Sequence, residues 1–135
     1  MPIKELSVMN GTKVFFDTCA VITLLDKQCD LPSLGINVDE ARFFTSVIVR
    51  MELLSKRQMT DNEEQGILEF LNHLTVIPLS EKIEKKAIEL RRSTNLKLPD
   101  SIVAATSIVL DAILLTDDEH LINLSLPGLQ TQDIF

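Results

Sequence analysis

Five acidic side chains, far apart along the chain, could act together in one site. They are Asp17, Glu52, Asp100 and the adjacent pair Asp117 and Asp118. Two carboxylates about 4 Å apart repel each other by on the order of 4 kcal/mol at an effective dielectric constant near 20. Such a group either takes up protons or binds a hard cation. Because no paired His or Cys accompanies these acids, the oxygen-only ligands predict Mg²⁺ or Mn²⁺ rather than zinc.

The chemistry expected of such a site is hydrolysis of a phosphodiester bond. Divalent ions bridge phosphate oxygens, lower the pKa of water and neutralise the charge that develops in the reaction. We expect an activated water molecule to attack in line with the leaving oxygen. Each acid also has a structural explanation, because Asp17 and Asp100 could simply stabilise the first turn of a helix. Glu52 could lie on the solvated face of an amphipathic helix.

The stretch 98–106 presents Asp100 at the mouth of a helix. Pro99 suits the first helical position, because it has no N–H to leave unpaired and its φ angle is fixed near the helical value. Asp100 then lies where the free N–H groups and the positive end of the helix dipole favour an anion. The residues that follow are small and nearly uncharged, which predicts a helix buried on most sides.

Short apolar runs alternate with helical patterns along the whole chain. The runs predict strands at 13–16, 42–45, 75–77 and 112–115, followed by a final extended piece at 129–132. Helices are expected between them, with Ser46 and Ser80 as N-caps of two and Asp61 as the N-cap of another. In the helix after Ser80, the predicted apolar stripe includes Ile88.

This alternation predicts an α/β fold of three layers (α/β/α) with a short, mainly parallel central sheet. Ligands of such sheets bind beyond the carboxyl ends of the strands. Asp17 and the pair Asp117 and Asp118 follow the first and fourth predicted strands. We place Asp100 and Glu52 near the starts of helices reached from the same edge. One crevice is therefore expected to collect the acids.

Length and composition predict a single domain over residues 1–135, long enough to bury a core without disulfides. The two cysteines lack CxxC spacing, and we expect Cys19 to be a small hydrophobe at a buried helix start. His73 and His120 are predicted to have no catalytic partner. No apolar run reaches the roughly 18 residues of a membrane span, and the N-terminus shows no signal peptide. A cytoplasmic protein is expected.

The formal net charge of −7 argues against a general nucleic-acid-binding protein. One segment, 82–97, is basic nevertheless, with only Glu84 and Glu89 as acids. Its cations are Lys82, Lys85, Lys86, Arg91, Arg92 and Lys97. They form either a solvated helix face or a rim that holds a polyanion beside the acids.

At these motifs the chain resembles the PIN-domain ribonucleases, above all the VapC-like toxin subunits of bacterial toxin–antitoxin pairs. The family's strand ending in Asp-Thr is similar to residues 15–19, and its Glu-bearing helix is similar to residues 46–54. Its Leu-Pro-Asp motif matches residues 98–100, and its Thr-x-Asn or Thr-x-Asp motif fits residues 116–118. The resemblance runs from Lys13 onward.

What the resemblance implies is a PIN-like fold and a metal-dependent endoribonuclease acting as a toxin. The residues that it assigns to catalysis and metal binding are Asp17, Glu52, Asp100 and Asp118, at intervals of 35, 48 and 18 residues, with Asp117 competing for the fourth position. Thr18 and Thr116 would orient the carboxylates or a bound water by hydrogen bonding.

The resemblance also implies Mg²⁺ or Mn²⁺ as cofactor, an RNA substrate, a homodimer, and a cognate antitoxin that inserts into the active-site groove. The chain departs from the family pattern in its acidity and in its last four residues, where many members carry a tryptophan. Two other functions stay open. One is a PIN-like scaffold that binds RNA or protein without catalysis, and the other is a phosphoacceptor signalling module, which would need a lysine near the acids.

Overall fold

The structure is a computed structural model that describes residues 11–135. The first ten residues, on which the expectation about a signal peptide depends, lie outside this range. Within residues 11–135, none of the helices has the length and apolar character needed to cross a membrane.

The middle layer is a five-stranded parallel sheet in the order β3-β2-β1-β4-β5. Its strands are β1 (Lys13–Phe16), β2 (Arg42–Ser46), β3 (Thr75–Ile77), β4 (Ile113–Thr116) and β5 (Gln130–Asp133). The α/β fold with a parallel sheet is confirmed, and the final extended piece proves to be its fifth strand. β1 pairs with both β2 and β4, so the chain reverses its direction of winding beside β1.

Within residues 11–135, six α-helices flank the sheet. They are α1 (Thr18–Leu25), α2 (Val47–Leu54), α3 (Asp61–Leu71), α4 (Glu81–Ser93), α5 (Leu98–Leu110) and α6 (Glu119–Ile122), and a single 3₁₀ turn occupies Pro32–Leu34. Because all five strands are parallel, the loops after their carboxyl ends lie at one edge of the sheet.

The N-caps are mostly those that the sequence predicts. Ser46 and Ser80 accept hydrogen bonds from backbone N–H groups of α2 and α4, as expected. The prediction for α3 is wrong, since Thr60 and not Asp61 is its N-cap. Thr60 and Glu63 form a reciprocal capping box, each side chain accepting the other's backbone N–H. The Thr-x-x-Glu spacing satisfies two free donors, which Asp61 alone could not do.

Helix α4 buries a narrower stripe than predicted. Ile83, Ala87 and Leu90 are buried, whereas Ile88 is 45% exposed. The buried residues are spaced at i, i+4 and i+7, and Ile88 lies one step of about 100° further around the helix. Its inclusion in the apolar stripe is therefore wrong.

Helix α5 is the most deeply buried helix among the described residues. All residues from 101 to 107 are buried, as the run of small uncharged residues predicts. The helix begins at Leu98, so Pro99 occupies the second position and not the first. Proline is tolerated there too, because the first four N–H groups of a helix have no intrahelical partner.

A buried side-chain hydrogen bond joins β2 to the end of β1, one residue before Asp17. Thr45 is fully buried, and its Oγ1 donates to the backbone oxygen of Phe16 at 2.8 Å. This bond helps to fix the position at which β1 ends.

We expect Thr45→Val to lower the free energy of unfolding by about 1–2 kcal/mol, because the shape is kept and one buried hydrogen bond is lost. Urea denaturation measures the change. Thr75→Val, at an exposed position of β3, is the control and should change stability by less than about 0.5 kcal/mol. Equal effects of the two variants would contradict the structural role of the Thr45 bond.

Candidate active site

Asp17 lies where β1 and β4 end side by side, and it binds groups from both. Its side chain caps α1, since Oδ1 accepts the backbone N–H of Thr18 at 2.7 Å. Its Oδ2 accepts the hydroxyl of Thr116 at 2.9 Å, and that hydroxyl accepts the backbone N–H of Asp118 at 3.0 Å. One carboxylate therefore fixes the start of α1 and the end of β4.

Glu52 reaches the same edge from α2. Its Oε1 accepts the hydroxyl of Thr18 at 2.9 Å, so Thr18 bonds to Asp17 through its backbone and to Glu52 through its side chain. The prediction that Glu52 lies near the start of its helix is wrong, because α2 spans Val47–Leu54 and Glu52 falls in its last turn. It meets the edge because α2 packs beside α1.

Asp100 lies in the first turn of α5 and opens onto a cleft of about 570 Å³ that we call the polar cleft. The cleft is lined by Ser93, Thr94, Asn95, Leu96, Lys97, Asp100, Asp118, His120 and Leu124. Burial raises the pKa of Asp100 above its usual 3.8, and the carboxylates of Asp118 and Glu52 raise it further. The nearby charges of Lys97 and His120 act in the opposite direction.

Asp17 is also electrostatically perturbed. It is only 8% exposed, and this burial raises the pKa of its carboxyl. Hydrogen bonds from Thr116 and Thr18 oppose the increase, whereas the carboxylates of Asp100 and Glu52 add to it. Asp17 and Asp100 thus each feel like charges from the other acids, which places these residues within electrostatic reach at one edge of the sheet.

The side chains as described do not form a closed metal-binding cage. Among residues 11–135, no three His, Cys, Asp or Glu side chains are arranged so that they could hold one metal ion. The donor set nevertheless fits a hard divalent cation, because it consists of carboxylate oxygens whose mutual repulsion such an ion relieves. Each Asp17 oxygen also has lone-pair capacity beyond its hydrogen bonds.

Asp117 and Asp118 point to different surroundings. Asp118 is half-buried, lines the polar cleft with Asp100 and caps α6 by accepting the N–H of His120 at 2.9 Å. Asp117 is exposed, and its backbone N–H donates to Cys19 Sγ at 3.3 Å. Of the two, Asp118 is the acid whose charge raises the pKa of Asp100.

Two site residues were not recognised in the sequence. Cys19 makes polar contacts: its Sγ lies 3.6 Å from Thr116 Oγ1 and 3.8 Å from Asp17 Oδ2, besides accepting from Asp117. Burial raises the pKa of the Cys19 thiol to about 12, so it is a neutral hydrogen-bonding group and not a nucleophile. His120 lines the polar cleft, and its position two residues after Asp118 was the available signal.

A second opening adjoins Glu52. This apolar groove, of about 450 Å³, is lined by Thr18, Ile22, Leu25, Asp26, Glu52, Leu53, Lys56, Asn62, Glu63, Gly66 and Ile67. Its aliphatic side chains come from α1, α2 and α3, and Ile22 is 47% exposed. The polar cleft therefore meets the acids at Asp100 and Asp118, and the apolar groove meets them at Glu52.

The six cations of segment 82–97 do not form one face toward the acids. Lys97 is the one member of the six that lines the polar cleft. Lys85 pairs with Glu81 at 3.0 Å, and Lys86 pairs with Glu89 at 3.3 Å.

The remaining three cations differ from one another. Arg91 donates from Nη1 to the backbone oxygen of Leu96 at 2.8 Å, so it supports the connection between α4 and α5. Arg92 lies with Lys85 and Ile88 along a different, shallow groove. Lys82 is exposed on the same helix, α4.

Comparison with known families identifies the fold. A family model described as the PIN domain matches residues 14–125. The chain belongs to the PIN-domain family. The matched range contains Asp17, Glu52, Asp100 and the pair Asp117 and Asp118, so the acids described above lie within the PIN domain itself.

Solved structures with the same fold come from toxin–antitoxin complexes. VapBC2 of Rickettsia felis, bound to a DNA fragment from its promoter, is similar with a TM-score of 0.77 and 21% identity, covering 90% of this chain and 98% of that chain. VapBC-1 of nontypeable Haemophilus influenzae is similar with a TM-score of 0.75 and 18% identity, covering 90% of this chain and 98% of that chain. A toxin–antitoxin complex from Klebsiella pneumoniae is similar with a TM-score of 0.67 and 24% identity, covering 86% of this chain and 94% of that chain. No curated protein sequence matches significantly. These likenesses establish the fold.

We expect Asp100→Asn to raise the melting temperature in EDTA at pH 7. The folded-state pKa of Asp100 is raised above its ordinary 3.8, so its stabilising contribution is complete below that pH and is lost as the pH rises through the folded value. Asparagine has no carboxyl group to ionise, so the variant does not lose stability in this way as the pH rises. The advantage of the variant should therefore be absent below about pH 4 and grow as the pH rises through the raised pKa of Asp100.

Thermal unfolding of wild type and variant across this pH range measures the effect. Asp39→Asn is the control, because Asp39 is an exposed carboxylate in the turn before β2, at the opposite edge of the sheet. A lower melting temperature of Asp100→Asn at pH 7 would contradict the raised pKa of Asp100, and with it the combined effect of burial and like charge on this carboxyl group.

Proposed function

We propose that this PIN domain is a metal-dependent endoribonuclease and the toxin of a toxin–antitoxin pair. The observation that supports this most is the electrostatic grouping of Asp17, Glu52, Asp100 and Asp118 at the carboxyl ends of the strands. Burial and like charge raise the pKa values of Asp17 and Asp100. Groups with perturbed pKa values beside a cleft are typical of functional sites.

The metal ligands in this proposal are Asp17, Glu52, Asp100 and Asp118, with Asp117 as the neighbouring alternative. Mg²⁺ or Mn²⁺ supplies Lewis-acid activation and charge neutralisation for phosphodiester hydrolysis. The side chains must shift from the described arrangement for three of them to hold one ion. Glu52 can shift most easily, since it is exposed and its one side-chain hydrogen bond is to Thr18.

Thr116 and Thr18 are the positioning residues of the proposed site. Thr116 holds Oδ2 of Asp17 and the backbone of Asp118 together, and Thr18 holds Asp17 and Glu52. These bonds restrict the carboxylates before any ligand binds, and such preorganisation is how hydrolytic sites gain rate.

The RNA backbone is proposed to enter through the polar cleft, with Lys97 beside it. Lys82, Lys85, Lys86, Arg91 and Arg92 remain proposed RNA-binding residues at longer range. The ion pairs of Lys85 with Glu81 and of Lys86 with Glu89 lie at the surface and are weak, so a phosphate can replace the acid in each. Arg91 differs, because its bond to Leu96 makes its loss a structural change too.

A cognate antitoxin is the proposed protein partner, and the apolar groove is its proposed binding site. The similar folds of toxin–antitoxin complexes support a partner of this kind. The exposed Ile22 and the other aliphatic residues of the groove offer it an apolar surface beside Glu52. A homodimer, a cytoplasmic location and a single domain over residues 1–135 are further parts of the proposal.

The phosphoacceptor alternative has one observation in its favour. It needs a lysine near the acids, and Lys97 lies on the polar cleft within electrostatic reach of Asp100. Incubation with a small phosphodonor followed by mass spectrometry tests it, and a stable aspartyl phosphate would favour it over the nuclease. The scaffold alternative requires that Asp100→Asn keep the full biological effect.

Purified protein is expected to cut total bacterial RNA into discrete products with Mn²⁺ or Mg²⁺ and not with EDTA. Asp100→Asn should lower the rate by about 100-fold or more, the scale on which single groups of hydrolytic sites act. Gel analysis and sequencing of the products provide the measurement. Asp39→Asn, purified in the same way, should retain the wild-type rate. Equal cleavage by wild type and Asp100→Asn would overturn the proposed active site.

Lys97→Gln should reduce the salt dependence of RNA binding by about one ion, because one phosphate contact is removed. Fluorescence anisotropy over a salt series measures the slope, in the Asp17→Asn background so that the RNA stays intact. Lys27→Gln is the control, since Lys27 is exposed and lines neither the polar cleft nor the apolar groove. An unchanged slope for Lys97→Gln would remove Lys97 from the RNA contact.

A further inference from the structure

One side of the polar cleft is lined by residues that have no role in the proposed metal site. Residues 93–97, which are the last residue of α4 and the connection to α5, form this side and are called the wall. His120 and Leu124 lie on the cleft as well, together with Asp100 and Asp118. The wall thus places neutral polar side chains next to the proposed scissile phosphate.

The wall is held in a fixed conformation by its own hydrogen bonds. Thr94 Oγ1 donates to the backbone oxygen of Leu90 at 2.7 Å and accepts the N–H of Leu96 at 3.1 Å. Arg91 donates to the backbone oxygen of Leu96 at 2.8 Å, and Leu96 is buried. The backbone on both sides of position 95 is therefore restrained before a ligand binds.

Among the uncharged polar residues of the wall, Asn95 is the one whose side chain makes no hydrogen bond within residues 11–135, since the hydroxyls of Ser93 and Thr94 donate to backbone oxygens of α4. The Asn95 side chain is exposed on the cleft. A carboxamide offers two donors and one acceptor and can form a bidentate pair with a base edge. Because its backbone is already ordered, such a pair costs little conformational entropy.

The rest of the cleft fits one nucleotide. Its volume of about 570 Å³ lies within the range of small-ligand sites, about 300–1,000 Å³. Lys97 supplies a positive charge for a phosphate, and Leu124 supplies apolar surface for the face of a base. Asp100 and Asp118, the acids of the proposed hydrolytic site, line the same space.

We propose that the polar cleft is a nucleotide-binding subsite and that Asn95 selects the base next to the cleaved bond. This inference rests on the proposed ribonuclease function and adds to it the reason for a preferred cleavage sequence. The substrate is single-stranded at this position, because only an unpaired base presents a free edge to a side chain.

A pool of short RNA molecules with randomised sequence tests the proposal by cleavage and sequencing. Wild type should show a base preference at one position beside the cut. Asn95→Ala should reduce that preference by about tenfold, the discrimination expected of one bidentate pair, while cutting at the disfavoured bases continues at about the wild-type rate. Asn95→Ser provides a second variant, and melting temperatures of both establish that they are folded.

Asn72→Ala is the matched control. Asn72 is also exposed and follows a helix, α3, but it lines neither the polar cleft nor the apolar groove. Its substitution should leave the base preference unchanged.

Binding provides a readout that is independent of cleavage. In the Asp17→Asn background, RNA bound from the same pool should be enriched for the preferred base, and adding Asn95→Ala should remove the enrichment. Asp17 is suited to this purpose because it does not line the polar cleft.

The outcomes separate this inference from the proposed function. A preference that persists in Asn95→Ala, an equal loss of rate at every base, or a wild type without any preference would each overturn the role of Asn95 and leave the ribonuclease standing. A wild type that neither binds nor cuts RNA would overturn the proposed function itself, and the subsite with it.

Discussion

The site depends on the carboxylate of Asp17, which is buried where the adjacent strands β1 and β4 end. Burial and the charges of Asp100 and Glu52 disfavour its ionised form. Hydrogen bonds from the Thr18 backbone and the Thr116 hydroxyl favour it. The fold provides these hydrogen bonds by bringing the start of α1 next to the end of β4. The positions of the neighbouring acids therefore depend on how the protein hydrogen-bonds the Asp17 carboxylate.

The two openings beside the acids differ in chemistry, and Glu52 connects them. The polar cleft presents amide, hydroxyl and charged groups, whereas the apolar groove presents aliphatic side chains from three helices. Glu52 lines the groove and also accepts a hydrogen bond from Thr18, the residue next to Asp17. The proposed protein partner would therefore contact Glu52 itself, and through it would affect the site proposed to bind RNA.

The sequence predicts those features that follow from local pattern. Strand ends, the parallel sheet and the acid that follows β1 could be inferred, because each depends on a short run of residues and on a general rule of α/β sheets. The N-cap of α3 could also have been predicted from local sequence, because the spacing of Thr60 and Glu63 is that of a capping box, but the prediction named Asp61 instead. Cys19 and the cleft wall could not be found in this way. Cys19 contacts Asp117, which is 98 positions away in the sequence, and the wall shares the polar cleft with Asp118, His120 and Leu124. Only tertiary packing determines these approaches.

The pairing of β1 with β4 has a consequence for synthesis of the protein on the ribosome. β1 is complete after residue 16, but its partner on the Asp17 side spans Ile113–Thr116, and the Thr116 hydroxyl that binds Asp17 is 99 positions away. A growing chain that ends before β4 has Asp17 and Glu52 without Thr116 or Asp118. The acid cluster thus assembles only when most of the chain has emerged, and a prematurely terminated product lacks it.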